Sequence, residues 1–277
     1  MKNSLLDNSR YQIIEDFHMP QLGRKRTIRI YLPKNYHNDS RSYPVIYMHD
    51  GQNLFESSLS FGGDSWEVPT SVDQFFADDN GAIVVGIENG SEFEGLCRMY
   101  EYSPWKIDPD FVLPDWPESV YQSGGEGQQY IDFITDSLKP YIDDNYRTLT
   151  DRDNTAIAGS SMGGFISLYG VLQRPDVFSL AGVFSPAFWF NAPEMFNFVE
   201  SKQLHNPVKI YMDMGTQESS GRGIDFEKIY LDGSNKVSEL LRNKANVALQ
   251  YQVDEGGLHT ESAWAKHYPN MLGYLFD

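Results

Sequence analysis

The chain has 277 residues, 40% of them hydrophobic and 14% aromatic, which is enough apolar surface for one large folded domain and excludes a wholly disordered chain. Its 39 acidic residues against 22 basic ones give a net charge of −17, which excludes nucleic acid and anionic membrane surfaces as principal partners. The single cysteine, Cys97, excludes an intramolecular disulfide framework and a multi-cysteine metal site.

The sequence shows no signal for export or for membrane insertion. Residues 1–16 mix charged and apolar positions and contain no apolar stretch long enough for a signal peptide. No segment reaches the roughly eighteen consecutive apolar residues of a membrane-spanning helix. We therefore expect the chain as given to be cytoplasmic and to have no membrane partner.

Short, nearly continuous apolar runs predict strands that are covered on both faces. The predicted strands are Thr27–Leu32, Val45–His49, Ala82–Ile87, Thr155–Gly159, Leu180–Phe184, Val208–Met214 and Val247–Val253. The clearest helical patterns between them are Gln128–Asp143, Gly163–Gln173, Asn235–Arg242 and Ser262–Phe276. Strands that alternate with helices predict an α/β fold, with a mostly parallel sheet and helices on both faces, and we expect residues 1–277 to form one domain.

Two segments interrupt this alternation. Residues 88–125 form a long insertion rich in proline, glycine and aromatic residues, and residues 187–203 also lie between two predicted strands. Long irregular segments of a compact domain are usually functional or disordered, and the aromatic content of the insertion favours a packed structure. We expect the insertion to form a wall over an active site, and a surface loop with a purely structural role is the alternative.

One G-x-S-x-G motif occurs in the chain, at residues 159–163. A predicted strand precedes it and a predicted helix follows it, which is the context of a nucleophile elbow. Gly159 and Gly163 leave room for the tight turn, and the N-terminus of the helix directs N–H groups at developing negative charge. The motif predicts that Ser161 is a nucleophile. The alternatives are a turn without chemistry and Ser160, which occupies the wrong position in the motif.

A serine nucleophile needs a base to remove its proton, and in this kind of site the chain order is serine, acid, histidine. His259 lies directly after the last predicted strand, in a loop whose two glycines let the ring approach the motif. His267 lies within the following predicted helix, and His205 precedes the last predicted strand. We therefore predict that His259 is the base. A loop histidine exposed to water is the alternative.

Two carboxylates near the end of the preceding predicted strand compete for the role of the acid. Glu218 lies beyond a Gly-Thr turn, from which a side chain can reach His259, whereas Asp213 lies within or at the end of the strand. The acid orients the histidine and stabilises its imidazolium, and it need not be an aspartate. Position favours Glu218. Asp213 is left as the alternative acid or as a cap of the loop backbone, and Asp225 is a remote third candidate.

The strand Val45–His49 ends at a loop that contains Gly51. In sites built around a nucleophile elbow, this is the position of the loop that follows the third strand. That loop contributes one backbone N–H to an oxyanion hole, and the residue after the nucleophile contributes the other. This predicts the N–H groups of Gln52 and Met162 as donors. His49 and Asp50 point to opposite faces and precede the nucleophile, so we expect them to brace the loop rather than to form a second catalytic pair.

The six histidines show neither an H-x-x-x-H nor an H-E-x-x-H spacing. We therefore predict no metal site and no cofactor, although ligands from distant segments would not be visible as a spacing. A metal-dependent hydrolase is accordingly disfavoured.

Several motifs in this chain occur in the order of one known family. They are Tyr47–Asn53, Gly90–Arg98 followed by Glu101–Trp105, Gly159–Gly164, Gly215–Glu218 and Gly257–His259. Together they resemble the Putative esterase family of the esterase D group, in the α/β-hydrolase superfamily. That group includes feruloyl and acetyl-xylan esterases, siderophore (enterochelin-type) esterases, S-formylglutathione hydrolase and mycolyltransferases. The resemblance extends over nearly the whole chain, from about Thr27 to Leu275.

The resemblance implies an α/β-hydrolase fold and an ester substrate. It also implies an acid that follows a Gly-Thr turn, as Glu218 does, and it favours Gln52 and Met162 as the oxyanion donors. Some siderophore esterases of this group work without a well-placed acid, so the resemblance bears less strongly on the acid than on Ser161 or His259.

The family name does not determine the acyl group. Arg98, Tyr100 and Trp105 of the insertion are the candidate substrate-binding residues. Arg98 and Lys106 are suited to anchor a carboxylate or a catecholate, and solvated surface charges are the alternative for both.

The leading hypothesis is a serine carboxylesterase that hydrolyses a small-molecule or carbohydrate ester through an acyl-enzyme on Ser161. A sugar-linked, phenolic or siderophore-type ester is expected. An acyltransferase to an alcohol acceptor would use the same three residues. A non-catalytic binding module that keeps the fold is the alternative from another functional class.

Overall fold

The computed structural model describes residues 9–76, 81–93, 95–111, 116–219 and 224–277. Its strands are β1 (Tyr11–Met19), β2 (Arg24–Tyr31), β3 (Val45–His49), β4 (Ile83–Ile87), β5 (Thr155–Ser160), β6 (Leu180–Phe184), β7 (Val208–Gln217) and β8 (Val247–Leu258). They form an eight-stranded sheet in the order β1-β2-β4-β3-β5-β6-β7-β8. β1 and β2 run antiparallel to their neighbours, and the pairs from β4 to β8 are parallel. The sheet is therefore mostly parallel, as predicted.

Helices cover both faces of the sheet. They are α1 (Val68–Phe75), α2 (Cys97–Glu101), α3 (Gly127–Phe133), α4 (Lys139–Asn145), α5 (Met162–Gln173), α6 (Ala192–Ser201), α7 (Ile224–Arg242) and α8 (Glu261–Phe276), and a π-helical turn, Ile134–Leu138, joins α3 to α4. One buried apolar cluster includes side chains of α3 to α7 and the other includes α1 and α8. β5 contributes Ile157 to the first cluster and Ala156 and Ala158 to the second, since successive strand side chains point to opposite faces.

The structure contains elements that the apolar runs did not predict. The edge strand β1 is missing from the predicted set because its register with β2 shifts between Ile14 and Phe17, where Asp16 has a φ of 56°. Such a bulge breaks the two-residue alternation by which strands are recognised. Helix α7 begins well before the predicted Asn235, since Gly233 within it weakens the helical pattern.

Three of the parallel strands end immediately before a predicted site residue. Ser161 follows the last residue of β5, Glu218 follows that of β7, and His259 follows that of β8. The carboxyl ends of parallel strands lie along one edge of a sheet, which is where α/β proteins build their binding crevices. The topology therefore brings the three residues to the same edge. None of the helices in the described ranges is both long and apolar enough to span a bilayer.

Candidate active site

Ser161 occupies the turn between β5 and α5 with φ 57° and ψ −121°, a conformation that non-glycine residues rarely adopt. Strain of this kind costs about 1–3 kcal/mol and persists only where the surroundings enforce it. Here the Ser161 N–H donates to the Phe184 carbonyl over 2.9 Å, and the Ser161 carbonyl accepts from Ala187 and Phe165 over 3.0 Å. The turn needs Gly159, since a Cβ there would lie 2.9 Å from the His49 ring.

His259 forms a short hydrogen bond with Glu218, with 2.5 Å between Nδ1 and Oε2. The Glu218 side chain is 1% exposed and that of His259 is 15% exposed, so the pair is nearly shielded from water while the imidazole keeps access to the surface. An Nδ1–H donated to a carboxylate leaves Nε2 as the acceptor, the tautomer that a general base requires.

The second oxygen of Glu218 is held from inside the protein. Oε1 accepts from the Ser185 hydroxyl over 2.6 Å and from the Gly215 N–H over 2.7 Å. Gly215 permits this approach, because a Cβ there would come within 2.3 Å of the Gly257 carbonyl and within 2.7 Å of Oε1 itself. The Ser185 hydroxyl in turn accepts from Trp264 Nε1 over 2.9 Å. Three donors, from His259, Ser185 and Gly215, therefore hold the Glu218 carboxylate, and Trp264 holds the Ser185 hydroxyl.

Two aromatic rings hold the imidazole of His259. The Trp264 ring meets it edge-on with 4.9 Å between centroids, and the Tyr230 ring lies 5.2 Å away on a tilted plane. Tyr230 also contacts Trp189, which stacks on Phe111 of the insertion with 5.1 Å between centroids. A continuous chain of packed aromatic rings, with Tyr230 and Trp189 buried, thus leads from the histidine to the insertion. Sequence reasoning missed Ser185, Trp264 and Tyr230, because no motif surrounds them.

Asp213, the alternative acid, is hydrogen-bonded to a different histidine, His267. Its Oδ2 accepts from His267 Nδ1 over 3.0 Å, and His267 Nε2 lies 3.2 Å from Asp254 Oδ2. Asp213 also accepts the Ser185 N–H over 3.3 Å, which is the backbone-capping role left open for it. Burial raises the pKa of Asp213, whereas the hydrogen bond to Asp213 raises that of His267. The structure therefore pairs His259 with Glu218 and His267 with Asp213.

His267 should make stability depend on pH. Because its pKa is raised on folding, the folded state binds this proton more tightly, so the stabilisation is complete below the ordinary histidine pKa of 6.5 and is lost as the pH rises through the raised value. We expect His267→Gln to lower the free energy of unfolding by about 1–3 kcal/mol near pH 5.5 and by less near pH 9. Urea denaturation of both proteins across this range measures the difference. An equal loss at every pH would contradict the protonated Asp213–His267–Asp254 arrangement.

The loop after β3 places Gln52 in a short helical turn, Gly51–Asn53, which follows Asp50 in the left-handed conformation (φ 55°). Met162 is the first residue of α5, so its N–H has no partner within the helix. These are the two backbone groups predicted as oxyanion donors. Their catalytic role stays a prediction.

His49 and Asp50 lie beneath this loop. Burial lowers the pKa of His49 to about 3, so the ring is neutral near pH 7, and its Nδ1 lies 2.9 Å from the Tyr130 hydroxyl. Although burial opposes it, the charge of Arg98 holds the pKa of Asp50 below its ordinary value. The pair is bidentate, with Arg98 Nε and Nη2 at 2.8 and 2.7 Å from the two oxygens. Both residues therefore support the loop and the turn.

The three predicted substrate-binding residues all have partners within the protein. Arg98 is bound to Asp50 and donates to the Ser160 carbonyl over 3.2 Å. Its side chain is therefore engaged within the protein, and the alternative interpretation of Arg98 as a solvated surface charge is wrong. The Tyr100 ring lies 5.0 Å from that of Phe93, and Trp105 packs against aromatic rings of α5 and α6. These contacts give all three a packing role, and their contact with substrate stays a prediction.

Ion pairs of two largely buried arginines attach the described part of the insertion, and Glu126 just after it, to β2. Arg24 binds Glu101 over 2.8 Å and Glu126 over 2.6 Å, and Arg26 binds Glu92 over 2.8 Å and also contacts Glu101. Glu101 is fully buried, so these contacts compensate a carboxylate removed from water. The insertion is packed where it is described, in agreement with its aromatic composition, and its role as an active-site wall stays a prediction.

The sequence model of the Putative esterase family matches residues 19–275. The chain belongs to this family. It is a hydrolase that acts on ester bonds, as the sequence motifs predicted. The match covers the elements β2 to α8 almost completely, and with them Ser161, Glu218 and His259.

Relatives and solved structures agree with this membership. The chain is 25% identical to the uncharacterized protein YbbA of Bacillus subtilis, over 91% of this chain and 92% of that protein. It is 27% identical to the ferri-bacillibactin esterase BesA of the same organism, over 72% of this chain and 69% of that one. The crystal structure of the BES protein of Bacillus cereus superposes with a TM-score of 0.75 at 21% identity, covering 99% of both chains. The predicted α/β-hydrolase fold is thereby confirmed.

Proposed function

We propose that this protein is a serine carboxylesterase that forms an acyl-enzyme on Ser161, with His259 as the base and Glu218 as the acid. The observation that carries the proposal is the 2.5 Å hydrogen bond between His259 and the buried Glu218, at the same sheet edge as the strained Ser161 turn. Nucleophile, base and acid follow the ends of three parallel strands, in the chain order that an α/β-hydrolase requires.

In the proposed reaction, Ser161 Oγ attacks the ester carbonyl carbon while His259 Nε2 takes the hydroxyl proton. The carbonyl oxygen becomes an oxyanion, which accepts hydrogen bonds from the N–H groups of Gln52 and Met162, each worth about 3–4 kcal/mol of transition-state stabilisation. Glu218 stabilises the imidazolium through Nδ1. The intermediate then collapses, the C–O bond to the alcohol breaks, and His259 returns its proton to the departing alkoxide.

A water molecule repeats the sequence on the acyl-enzyme. His259 removes one proton from the water as its oxygen bonds to the acyl carbon, and the same two N–H groups receive the second oxyanion. The Ser161–acyl bond breaks, and Oγ regains its proton from His259. The products are the carboxylic acid and the free enzyme.

The substrate is proposed at the level of a class. The aromatic side chains packed behind His259, from the buried Tyr230 and Trp189 to Phe111, give the region beside the proposed base an apolar character, which supports an ester with an aromatic or otherwise apolar part, such as a phenolic ester. The name of BesA adds siderophore esters to the range to be tested. A hydrolysis panel of short acyl, feruloyl, acetylated-sugar, formyl-thioester and siderophore esters distinguishes these classes.

A fluorophosphonate probe tests the nucleophile directly. We expect one covalent adduct per chain, located on Ser161 by peptide mass spectrometry, because only a serine activated by a base attacks phosphorus at a useful rate. Heat-denatured protein is the control, since unfolding separates Ser161 from His259 and should abolish labelling. An adduct on another residue, or none on folded protein, would refute the proposal.

A further inference from the structure

Glu261 stands out among the charged groups near the proposed triad, because the mechanism does not use it. It is the first residue of α8, two positions after His259, and its side chain is half-buried. Its Oε1 accepts from Asn53 Nδ2 over 3.0 Å. Asn53 directly follows Gln52, so this bond joins the segment of the proposed base to the segment of a proposed oxyanion donor.

One oxygen of the carboxylate is held by a side-chain hydrogen bond, and the other lies close to Gly62. The buried Asn53 uses its own Oδ1 to accept the Phe61 N–H over 3.1 Å, which turns its Nδ2 toward Glu261. The other oxygen, Oε2, lies against Gly62, where an added Cβ would come within 2.9 Å of it. Glu261 therefore lies at the edge of the site in a defined position rather than as a mobile surface charge.

The carboxylates around the site differ in the partners that stabilise them. Glu218 is hydrogen-bonded to His259, and Asp50 forms a bidentate pair with Arg98. Glu261, like Glu218, is bound by a neutral donor, here the amide of Asn53, whereas the partner of Asp50 is cationic. Burial raises its pKa, as does the neighbouring Asp50, while its own backbone N–H and the electrostatic interactions with His259 and Arg98 oppose the shift, so it interacts electrostatically with the proposed machinery. Among the described residues no Lys or Arg pairs with Glu261, so its negative charge is stabilised by neutral donors and by the N-terminus of α8 rather than by a cationic side chain.

We propose that Glu261 determines substrate specificity, by disfavouring esters that carry a negative charge and leaving neutral and cationic esters as the substrate class. The inference rests on the proposed function, because it assumes that the ester is cleaved at Ser161. A fixed charge in a partly desolvated site acts on a charged substrate over several ångströms, and the overall charge of −17 acts in the same direction.

The test compares esters of nearly equal shape and different charge. On the acyl side, p-nitrophenyl hemisuccinate is the anion and p-nitrophenyl 4-methylpentanoate its neutral counterpart. On the alcohol side, acetylcholine is the cation and 3,3-dimethylbutyl acetate its neutral counterpart. Ratios of kcat/KM within each pair cancel any general loss of activity. The assay runs near pH 8, well above the ordinary carboxylate range.

We expect Glu261→Gln to raise the anionic-to-neutral ratio about tenfold and Glu261→Lys to raise it further, with a fall in the cationic-to-neutral ratio. The effect should shrink between about 0.02 M and about 0.5 M salt. Glu194→Gln is the matched control, because Glu194 is an exposed glutamate in the first turn of α6 and its replacement changes the net charge equally. Its ratios should equal those of the wild type.

Unchanged ratios in both folded Glu261 variants, with neutral esters still hydrolysed, would overturn the proposal and leave the esterase function intact. A change of the same size in Glu194→Gln would also overturn it, since net charge would then be the cause. Failure of the proposed function has a different signature: wild-type turnover of neutral esters that persists in Ser161→Ala. Thermal unfolding of each variant establishes that it is folded.

Discussion

Ser161→Ala should lower kcat for p-nitrophenyl acetate by about 10⁵-fold or more, leaving the residual rate that binding and oxyanion stabilisation supply without a nucleophile. Alanine accommodates the same strained turn about as poorly as serine does, so the melting temperature should stay within a few degrees of the wild-type value. Stopped assays with high enzyme concentration measure the residual turnover, and circular dichroism measures unfolding.

Ser160→Ala is the control, because it removes a hydroxyl from the adjacent residue of the same motif. Ser160 ends β5 and is buried, and the structure uses its carbonyl rather than its hydroxyl to accept from Arg98. We expect its kcat to stay within about an order of magnitude of the wild-type value. If Ser160→Ala were the more damaging change, or if Ser161→Ala kept a tenth of the activity, the nucleophile would be misassigned.

Glu218→Gln should lower kcat by about 10³–10⁴-fold, because an amide that donates to Nδ1 would place the proton of the imidazole on the wrong nitrogen. KM should change little, since the side chain is 1% exposed and its outer oxygen is bound to His259. The shape of the side chain is kept, so Ser185 and Gly215 still have an acceptor in Oε1. Steady-state kinetics with p-nitrophenyl esters of two chain lengths separate kcat from KM.

Asp213→Asn is the paired variant, and it decides between the two candidate acids. Because Asp213 accepts from His267 and Ser185 rather than from His259, we expect less than about a tenfold loss of kcat. Stability should fall instead, by about 1–3 kcal/mol, because the charged hydrogen bond to His267 is lost. A larger kinetic loss in Asp213→Asn than in Glu218→Gln would transfer the role of the acid to Asp213.

The core of the fold could be predicted from the sequence because its signals are local. The apolar runs correctly located β3, β5 and β6 almost to the residue, since strands buried on both faces contain few polar positions. The edge strand β1 was not predicted, because a half-exposed strand with a bulge has neither a continuous apolar run nor an unbroken alternation. The predicted ends of β7 and β8 were too early, at Met214 and Val253, because Gly215 follows the first and a polar, glycine-containing segment, residues 254–257, follows the second.

Ser161 is the site residue for which the sequence carried the most information. A tight turn between a buried strand and a helix requires glycines at fixed positions, so the motif encodes backbone geometry within five residues, and the structure places Ser161 in that turn. The chain order of the fold then restricted His259 and Glu218 to the loops after two later strands. For Glu218 the sequence left Asp213 as an alternative.

Only the tertiary structure could show which carboxylate is hydrogen-bonded to which histidine or amide. His259 is 41 residues from Glu218, His267 is 54 from Asp213, and Asn53 is 208 from Glu261. Such pairs depend on the register of the strands and on how the helices pack against the sheet. Many apolar contacts between distant segments determine both, so no local sequence pattern predicts these pairs. The sequence by itself therefore determined the fold class and the strand ends that carry the candidate site. Packing alone determined the two separate histidine–carboxylate pairs and the unused carboxylate of Glu261.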